Sequence, residues 1–340
     1  MPPGPANGYG APVTTSPAIA LPPGFAARAL TPADVPAVTE LLAAWERVEP
    51  DDHGYTETEI REEFTSPVAA LDGGGVAVLR VGRLVGYGLL HVIAREPGWL
   101  AYADGGVHPD VHRRGVGGWL LARQLELART LRDAQAPGRP GELRIGAAER
   151  RPGAMAAIVA AGFAPRRYFF RMRADLRRPG PDPVPDPPGV RIRPFAAADD
   201  DAVRVASNDS FADHWGSVPR EPDTWRAEYT DSSTFRPAMS FVAEDATGIV
   251  GFSLASEHDA DTATRGYRTG YVSRVGTVRA VRGRGIGSAL VARSLVAMRS
   301  NGYDEAELDV DADSPTGAGR IYERLGFAVV ARERLYAREL

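Results

Sequence analysis

The chain repeats itself. Pro23 to Val38 reads PGFAARALTPADVPAV and Pro188 to Val203 reads PGVRIRPFAAADDDAV, and the two align without a gap. Pro23, Gly24, Arg28, Asp34 and Val38 then stand opposite Pro188, Gly189, Arg193, Asp199 and Val203. Further on, RRGVGG from Arg113 matches GRGIGS from Gly283, and later Gly162-Phe163 matches Gly326-Phe327. The matches keep one order at offsets of 165, 170 and 164 residues. Solenoid repeats run about 20–50 residues, so this spacing indicates duplication of a whole domain. A chain of 340 residues has room for two, at roughly 100–200 residues each.

A composition shift marks the junction. Arg177 to Pro188 reads RRPGPDPVPDPP, and alternating prolines favour an extended, semi-rigid spacer. The sequence therefore divides into a tail over 1–23, a first domain over 24–176, the spacer over 177–188 and a second domain over 189–340. The tail is rich in Pro, Gly, Ser and Thr and reads as disordered.

Each half predicts the same element order. A short strand (26–30; 190–195) precedes a helix with an acidic first turn, with Thr31 as N-cap and Pro32 at the first helical position in the first copy. In the second copy, strands follow at 240–244, 249–256 and 270–278, then a glycine cluster. After it come a helix from 285 to about 299, a strand over 305–311 and a helix from about 315 to 325. Strands mixed with helices around a hairpin run indicate a mixed sheet in an α/β domain.

Composition excludes several function classes. There is no cysteine, which removes disulfides, thiolate metal sites and a cysteine nucleophile. The formal charge of −4 is spread along the chain, without the basic excess of a nucleic-acid binder. No apolar run approaches the ~20 residues of a membrane span, and the N-terminus has no secretory pattern, so a cytoplasmic protein with neither nucleic acid nor membrane as partner is expected. No His/Asp/Glu cluster has ligand spacing, so no metal is expected.

The chemistry-bearing motif is Arg282-Gly283-Arg284-Gly285-Ile286-Gly287, between a strand and a helix. Such a turn offers several backbone N–H groups and the positive end of a helix dipole to a pyrophosphate. Glycines let backbone approach phosphate without Cβ interference. A P-loop would need Lys-Ser/Thr after the second glycine, and none is present. A dinucleotide fingerprint belongs near the first strand, whereas this cluster lies well inside the domain.

Arg-x-x-Gly-x-Gly opening a helix, followed by Tyr322-Glu323-Arg324-Leu325-Gly326-Phe327, resembles the GNAT superfamily of acetyltransferases. The resemblance covers nearly all of 189–340 and, with weaker motifs, 24–176. Two such domains in one chain resemble tandem acetyltransferases of the actinobacterial mycothiol synthase type. The resemblance implies two GNAT-like domains, each a mixed, mostly antiparallel sheet flanked by helices. It implies acetyl-CoA as co-substrate, held at the pyrophosphate by Arg282, Gly283, Arg284, Gly285, Ile286, Gly287 and Ser288. The strand residues Val275, Gly276 and Thr277 would pair with the pantetheine arm, and a backbone N–H there would stabilise the oxyanion. Tyr322 would protonate the departing thiolate, a role a neutral phenol can fill.

The base is less directly marked. A mycothiol synthase-like enzyme implies an acidic residue on the strand before the loop, but TGYVSRVGTV holds none. Glu257 and His258, closing the preceding strand, are the candidates, and Asp213, His214 and Trp215 are placed to face an acceptor. In the first copy Val107, Arg113, Arg114, Gly115, Val116, Gly117 and Gly118 correspond to the cofactor-binding residues. There His112 replaces Arg282, Ile158 replaces Tyr322, and Asp104 on the preceding strand reads as structural. The expectation is an N-acetyltransferase acting on a primary amine of a small molecule by direct attack, with the second copy as catalyst. The alternatives are transfer to a protein lysine or other acyl acceptor, and a non-catalytic acetyl-CoA-binding regulatory module. The two copies can pack as a pseudo-dimer within a monomer.

Overall fold

The computed structural model describes residues 20–50, 53–178, 184–313 and 317–340. Most of the tail (1–19), part of the spacer (179–183) and Ser314-Pro315-Thr316 lie outside the described residues.

The repeated letters correspond to repeated contacts. Gly24 and Gly189 both have positive φ, +82° and +73°, and open the turn into the first strand of each half. Arg28 pairs with Asp34 at 2.6 Å, and Arg193 with Asp199 at 2.6 Å. The same carboxylates accept from the backbone N–H of Thr31 and of Ala196, tying the strand to the helix start twice over. Thr31 and Pro32 open a short 3-10 turn, Pro32–Asp34, that runs into the helix.

The first half contains β1 (Ala26–Ala29), α1 (Val35–Val48), α2 (Glu57–Thr65), β2 (Val76–Arg80), β3 (Arg83–Ala94) and β4 (Trp99–Val107). It continues with α3 (Val116–Gln135), β5 (Gly141–Ala148), α4 (Pro152–Ala160) and β6 (Ala164–Asp175). The second half contains β7 (Arg191–Pro194), α5 (Asp200–Ser210), β8 (Phe241–Asp245), β9 (Gly248–Ser256), α6 (Asp259–Arg265) and β10 (Thr269–Thr277). It ends with α7 (Ile286–Ser300), β11 (Glu305–Asp311), α8 (Ala318–Arg324) and β12 (Ala328–Glu339). The helix expected from about 315 thus begins at Ala318.

All twelve described strands form one sheet, in the order β1-β2-β3-β4-β5-β12-β6-β11-β10-β9-β8-β7. Only β4–β5 and β10–β11 are parallel; the other pairings are antiparallel. The last strand of each half is exchanged: β12 pairs with β5 of the first half, and β6 pairs with β11 of the second. The cores are correspondingly mixed. Met172, Ala174 and Leu176 sit in the core of the second half, and Tyr336 in that of the first. The spacer is not free-standing either, since Val184 packs on the second core and Asp186 pairs with Arg293 at 2.8 Å.

Alternation along the strands sends side chains to two faces. In β3, Leu89 faces α1 and α2, whereas Leu90 faces α3. In the second half, α5 packs on Phe252 and Leu254, and α7 on Ala243 and Val250. The α2 segment docks against the second half: Asp261 accepts from the Gly54 N–H at 2.8 Å, and Glu62 from the Ser233 N–H at 3.0 Å.

Candidate active site

The glycine turn has the geometry its letters imply. Gly283 and Gly285 both adopt positive φ, +79° and +82°, and Gly285 is the N-cap of α7. The first intrahelical bond runs from the Ala289 N–H to the Gly285 carbonyl. The N–H groups of Ile286, Gly287 and Ser288 therefore have no partner within the helix. A Cβ on Gly285 would meet nothing within 4 Å, so the turn is open in front. Arg282 is held back by Asp213 at 2.6 Å and by the Ser210 carbonyl at 2.6 Å, which fixes the turn to the end of α5. That hydrogen bond holds the Asp213 carboxyl down at about 2. Arg284 donates to the Pro188 carbonyl at 2.8 Å.

Beside the turn, two parallel strands fork. β10 pairs with β11 only as far as Tyr271 with Glu307, and the rest of β10 has no partner on that side. The Val278 N–H donates to the Val250 carbonyl, and Thr277 faces Gly251. By the alternation of an antiparallel pair, Thr277 and Val275 aim their own N–H and C=O away from β9, into the fork. Val275 also packs against the cluster that contains Tyr322, Leu308 and Phe327. Tyr322 is 8% exposed, and burial raises its hydroxyl to about 12. It is thus a neutral, proton-bearing phenol at physiological pH.

The fork, the helix start and the tyrosine lie together in the second half. The model of the acetyltransferase (GNAT) family matches residues 36–136 and 203–327. The chain belongs to the GNAT acetyltransferase family. A "mycothiol acetyltransferase" from Parafrankia sp. (strain EAN1pec) is 34% identical over 333 residues, 92% of this chain and 97% of the relative. One from Thermobispora bispora is 35% identical over 237 residues, 68% and 74% of the two chains. The GCN5-related N-acetyltransferase of Sphaerobacter thermophilus superposes with a TM-score of 0.71 at 28% identity, covering 94% and 97%. A tandem GNAT protein from the clavulanic acid biosynthesis pathway shares the fold with a TM-score of 0.71 at 21% identity, covering 93% and 98%. The chain is an acyl-CoA-dependent N-acetyltransferase.

As a GNAT enzyme the chain needs an acceptor site, and a cavity of about 670 Å³ lies between the halves. Tyr55, Glu59 and Glu63 line it from the first half, with His91 and Asp104 of the sheet, while Glu228 and His258 line it from the second. Burial, and then the neighbouring Asp104 carboxylate, raises Glu63 well above the usual carboxylate range. His91 lies 3.6 Å from Glu63, and burial lowers its affinity for a proton. Asp104, read from sequence as structural, thus faces the cavity.

The two base candidates separate. Glu257 is a buried anchor: its carboxylate accepts from Tyr303 at 2.6 Å, Arg268 at 2.8 Å and Arg236 at 3.1 Å. Burial pushes it up, but those hydrogen bonds win and hold it at about 2. A carboxylate so engaged is a poor proton acceptor, which corrects the expectation of Glu257 as base. His258 lines the cavity, with its Nδ1 2.6 Å from Glu59 of the first half. Burial lowers its affinity for a proton, but the Glu59 hydrogen bond together with the Glu59 and Asp261 charges outweighs this, and the net shift is upward.

Of the other acceptor-side residues, Trp215 is stacked between Arg144, 3.9 Å from its ring centre, and Arg167, at 5.2 Å. His214 packs on Phe211 at 5.0 Å. Sequence reasoning missed Glu59, Glu63 and His91. The run ETEIREE in α2 was a visible signal, but which half it would face was not.

In the first half the turn keeps its shape with altered letters. Gly115 caps α3 at φ +83°, and Arg113 takes the left-handed conformation that Gly283 has in the second copy, at φ +57°. Arg114, Val116, Gly117 and Gly118 complete the turn and the start of α3. Ile158 is buried in the first core where Tyr322 stands in the second. No helix among the described residues is long and apolar enough to cross a membrane.

Proposed function

We propose that the chain transfers an acetyl group from acetyl-CoA to a primary amine of a small molecule by direct attack in a ternary complex, with the chemistry in the second half. The observation that carries this reading is the convergence of three features there: the Gly285 helix start, the fork-facing groups of Val275 and Thr277, and buried Tyr322. The Ile286, Gly287 and Ser288 N–H groups would hold the pyrophosphate, with the adjoining turn residues Arg282, Gly283 and Arg284 shaping the approach. The pantetheine arm would add to the free edge of β10, past Gly276. A backbone N–H there would hold the oxyanion. Tyr322 would return a proton to sulfur; the low-dielectric setting that raises the phenol also raises the proton affinity of the leaving thiolate.

The acceptor enters from the interdomain cavity. Its carboxyl-rich lining suits a protonated amine, and His258, oriented by Glu59, takes the proton that the amine must lose before attack. Release of CoA over a panel of amines tests the reading. Amino sugars, aminoglycosides, peptides and an amine related to mycothiol, suggested by the relatives' names, make up that panel. CoA release confined to peptides would move the assignment to protein lysine.

A further inference from the structure

The two halves fork alike, but among the described residues an indole stands in only one fork. In the first half, β4 pairs with β5 as far as Tyr102 with Arg144, and the strand beyond runs free on that side. The His108 N–H donates to the Val85 carbonyl, and Val107 faces Gly86. Val107 therefore aims its N–H and C=O into the fork, as Thr277 does in the second half.

The base of this gap, at Asp104, Gly105, Ile145 and Gly146, opens to the interdomain cavity, but an indole covers it at Gly106 and Val107. Trp45, near the end of α1, donates its Nε1–H to the Val107 carbonyl at 2.6 Å. A nitrogen of the His112 ring lies 3.0 Å from the same oxygen. A Cβ built on Gly106 would fall 1.8 Å from two carbons of the Trp45 ring, so the ring is pressed onto the strand backbone. On the other prong, just past β5, the Arg151 guanidinium lies 5.2 Å from the ring centre and is tied to Glu49 at the end of α1. The ring spans the mouth of the fork.

Among the described residues, the second half lacks the indole and its histidine partner. Ser210 stands at the place of Trp45, by the offset of 165 residues that sets Gly24 opposite Gly189. Its hydroxyl turns back to the Ala206 carbonyl at 2.7 Å. Arg282, in place of His112, reaches Asp213 instead of the strand. The ring nearest Gly276 is Phe252, which comes from β9 on the closed side of the fork.

We propose that Trp45 is a stopper. It occupies the line a pantetheine arm would take in the first half, so the chain holds one acetyl-CoA, in the second half, and the turn around Gly115 carries no cofactor. The proposal rests on the reading of the open fork as the acetyl-CoA site. It accounts for two substitutions at once: with no thioester delivered beside α4, no acid is needed where Ile158 stands, and His112 serves the Val107 carbonyl that the stopper engages.

Calorimetric titration of the full chain with acetyl-CoA counts the sites. One equivalent is expected, lost in Gly285→Asp and retained in Gly115→Asp. Trp45→Ser, which installs the residue of the second copy, is expected to bind two, the added one disappearing when Gly115→Asp is combined with it. Ser210→Trp, with the fold intact by circular dichroism, is expected to lose binding at least tenfold; unchanged affinity overturns the stopper. So do two equivalents in the unsubstituted chain, one of them removed by Gly115→Asp, and so does a folded Trp45→Ser that still binds only one. An equivalent that survives in folded Gly285→Asp while Gly115→Asp removes it overturns the underlying assignment of the second-half site.

Discussion

Glu59 of the first half and His258 of the second meet across the cavity, 2.6 Å apart. The pair couples the halves electrostatically and sets the working pH of the proposed base. Asp261 also raises the proton affinity of His258, Arg236 opposes it, and the His53 and Tyr271 rings flank the imidazole. The acid limb of the pH–rate profile is expected above the ordinary histidine value of 6.5, and Glu59→Gln is expected to move it to lower pH. A limb that stays in place would remove His258 from the mechanism.

The same pair makes a signed stability prediction. A raised histidine stabilises the fold below its unfolded value, and that contribution fades as pH climbs through the folded value. Glu59 shifts the other way: burial raises it, but the His258 hydrogen bond and the Thr56 cap pull it below 4.5. Its contribution is present above 4.5 and fades as pH falls through the folded value. The deficit of Glu59→Gln in urea unfolding should therefore be greatest between 4.5 and 6.5 and shrink at alkaline pH.

Tyr322→Phe keeps the ring and removes one hydroxyl. Packing against Phe327 and Leu325 should survive, so acetyl-CoA affinity is expected to stay near that of the unsubstituted chain. Turnover should fall by ~10²–10⁴-fold, the usual scale of general acid catalysis. Single-turnover kinetics decide it, because they isolate the chemical step from product release.

Gly285 separates backbone strain from charge. Nothing lies within 4 Å of a Cβ there, so Gly285→Ala costs only the left-handed conformation, roughly 1–2 kcal/mol, and should remain folded. Gly285→Asp adds a negative charge facing the phosphates. It should weaken acetyl-CoA by at least tenfold relative to the alanine variant, or ~1.4 kcal/mol. Equal affinities for the two variants would place the pyrophosphate elsewhere.

Tyr336 is 1% exposed and lies in the first core although it belongs to the last strand. Tyr336→Ala should cost ~3–5 kcal/mol, the range for large buried aromatics. The loss should register in the opposite half: hydrogen exchange would accelerate along 141–148, which pairs with this strand.

The repeat was legible because it is written in residues with special duties. Gly24 and Gly189 need positive φ, Arg28–Asp34 and Arg193–Asp199 are ion pairs, and Gly115 and Gly285 cap helices in a left-handed conformation. Such positions tolerate few substitutes, so they survive in the letters. Five of the six described strands of the second half were likewise legible within a residue or two from alternation and glycine punctuation, while β12 was not read from the sequence. The exchange of β6 and β12 was not, because a strand's pattern states which faces are apolar and is silent on which neighbour it pairs with. The roles of Glu257 and His258 were out of reach for a similar reason. Adjacent in sequence, they point to different surroundings, one into an arginine cluster and the other into a cavity built with Glu59.

Exchanging the last strands has a consequence for how the protein is made. On the ribosome, β6 emerges with neither neighbour available, since its closest paired residue, Glu305 opposite Asp175, is 130 residues downstream. At ~5–20 residues per second that interval is roughly 6–26 s. Throughout it the nascent first half exposes an unpaired strand and the vacant flank of β5, the kind of edge that recruits other chains. The centre of the sheet can close only after synthesis has reached β12, so in the cell the two halves mature together.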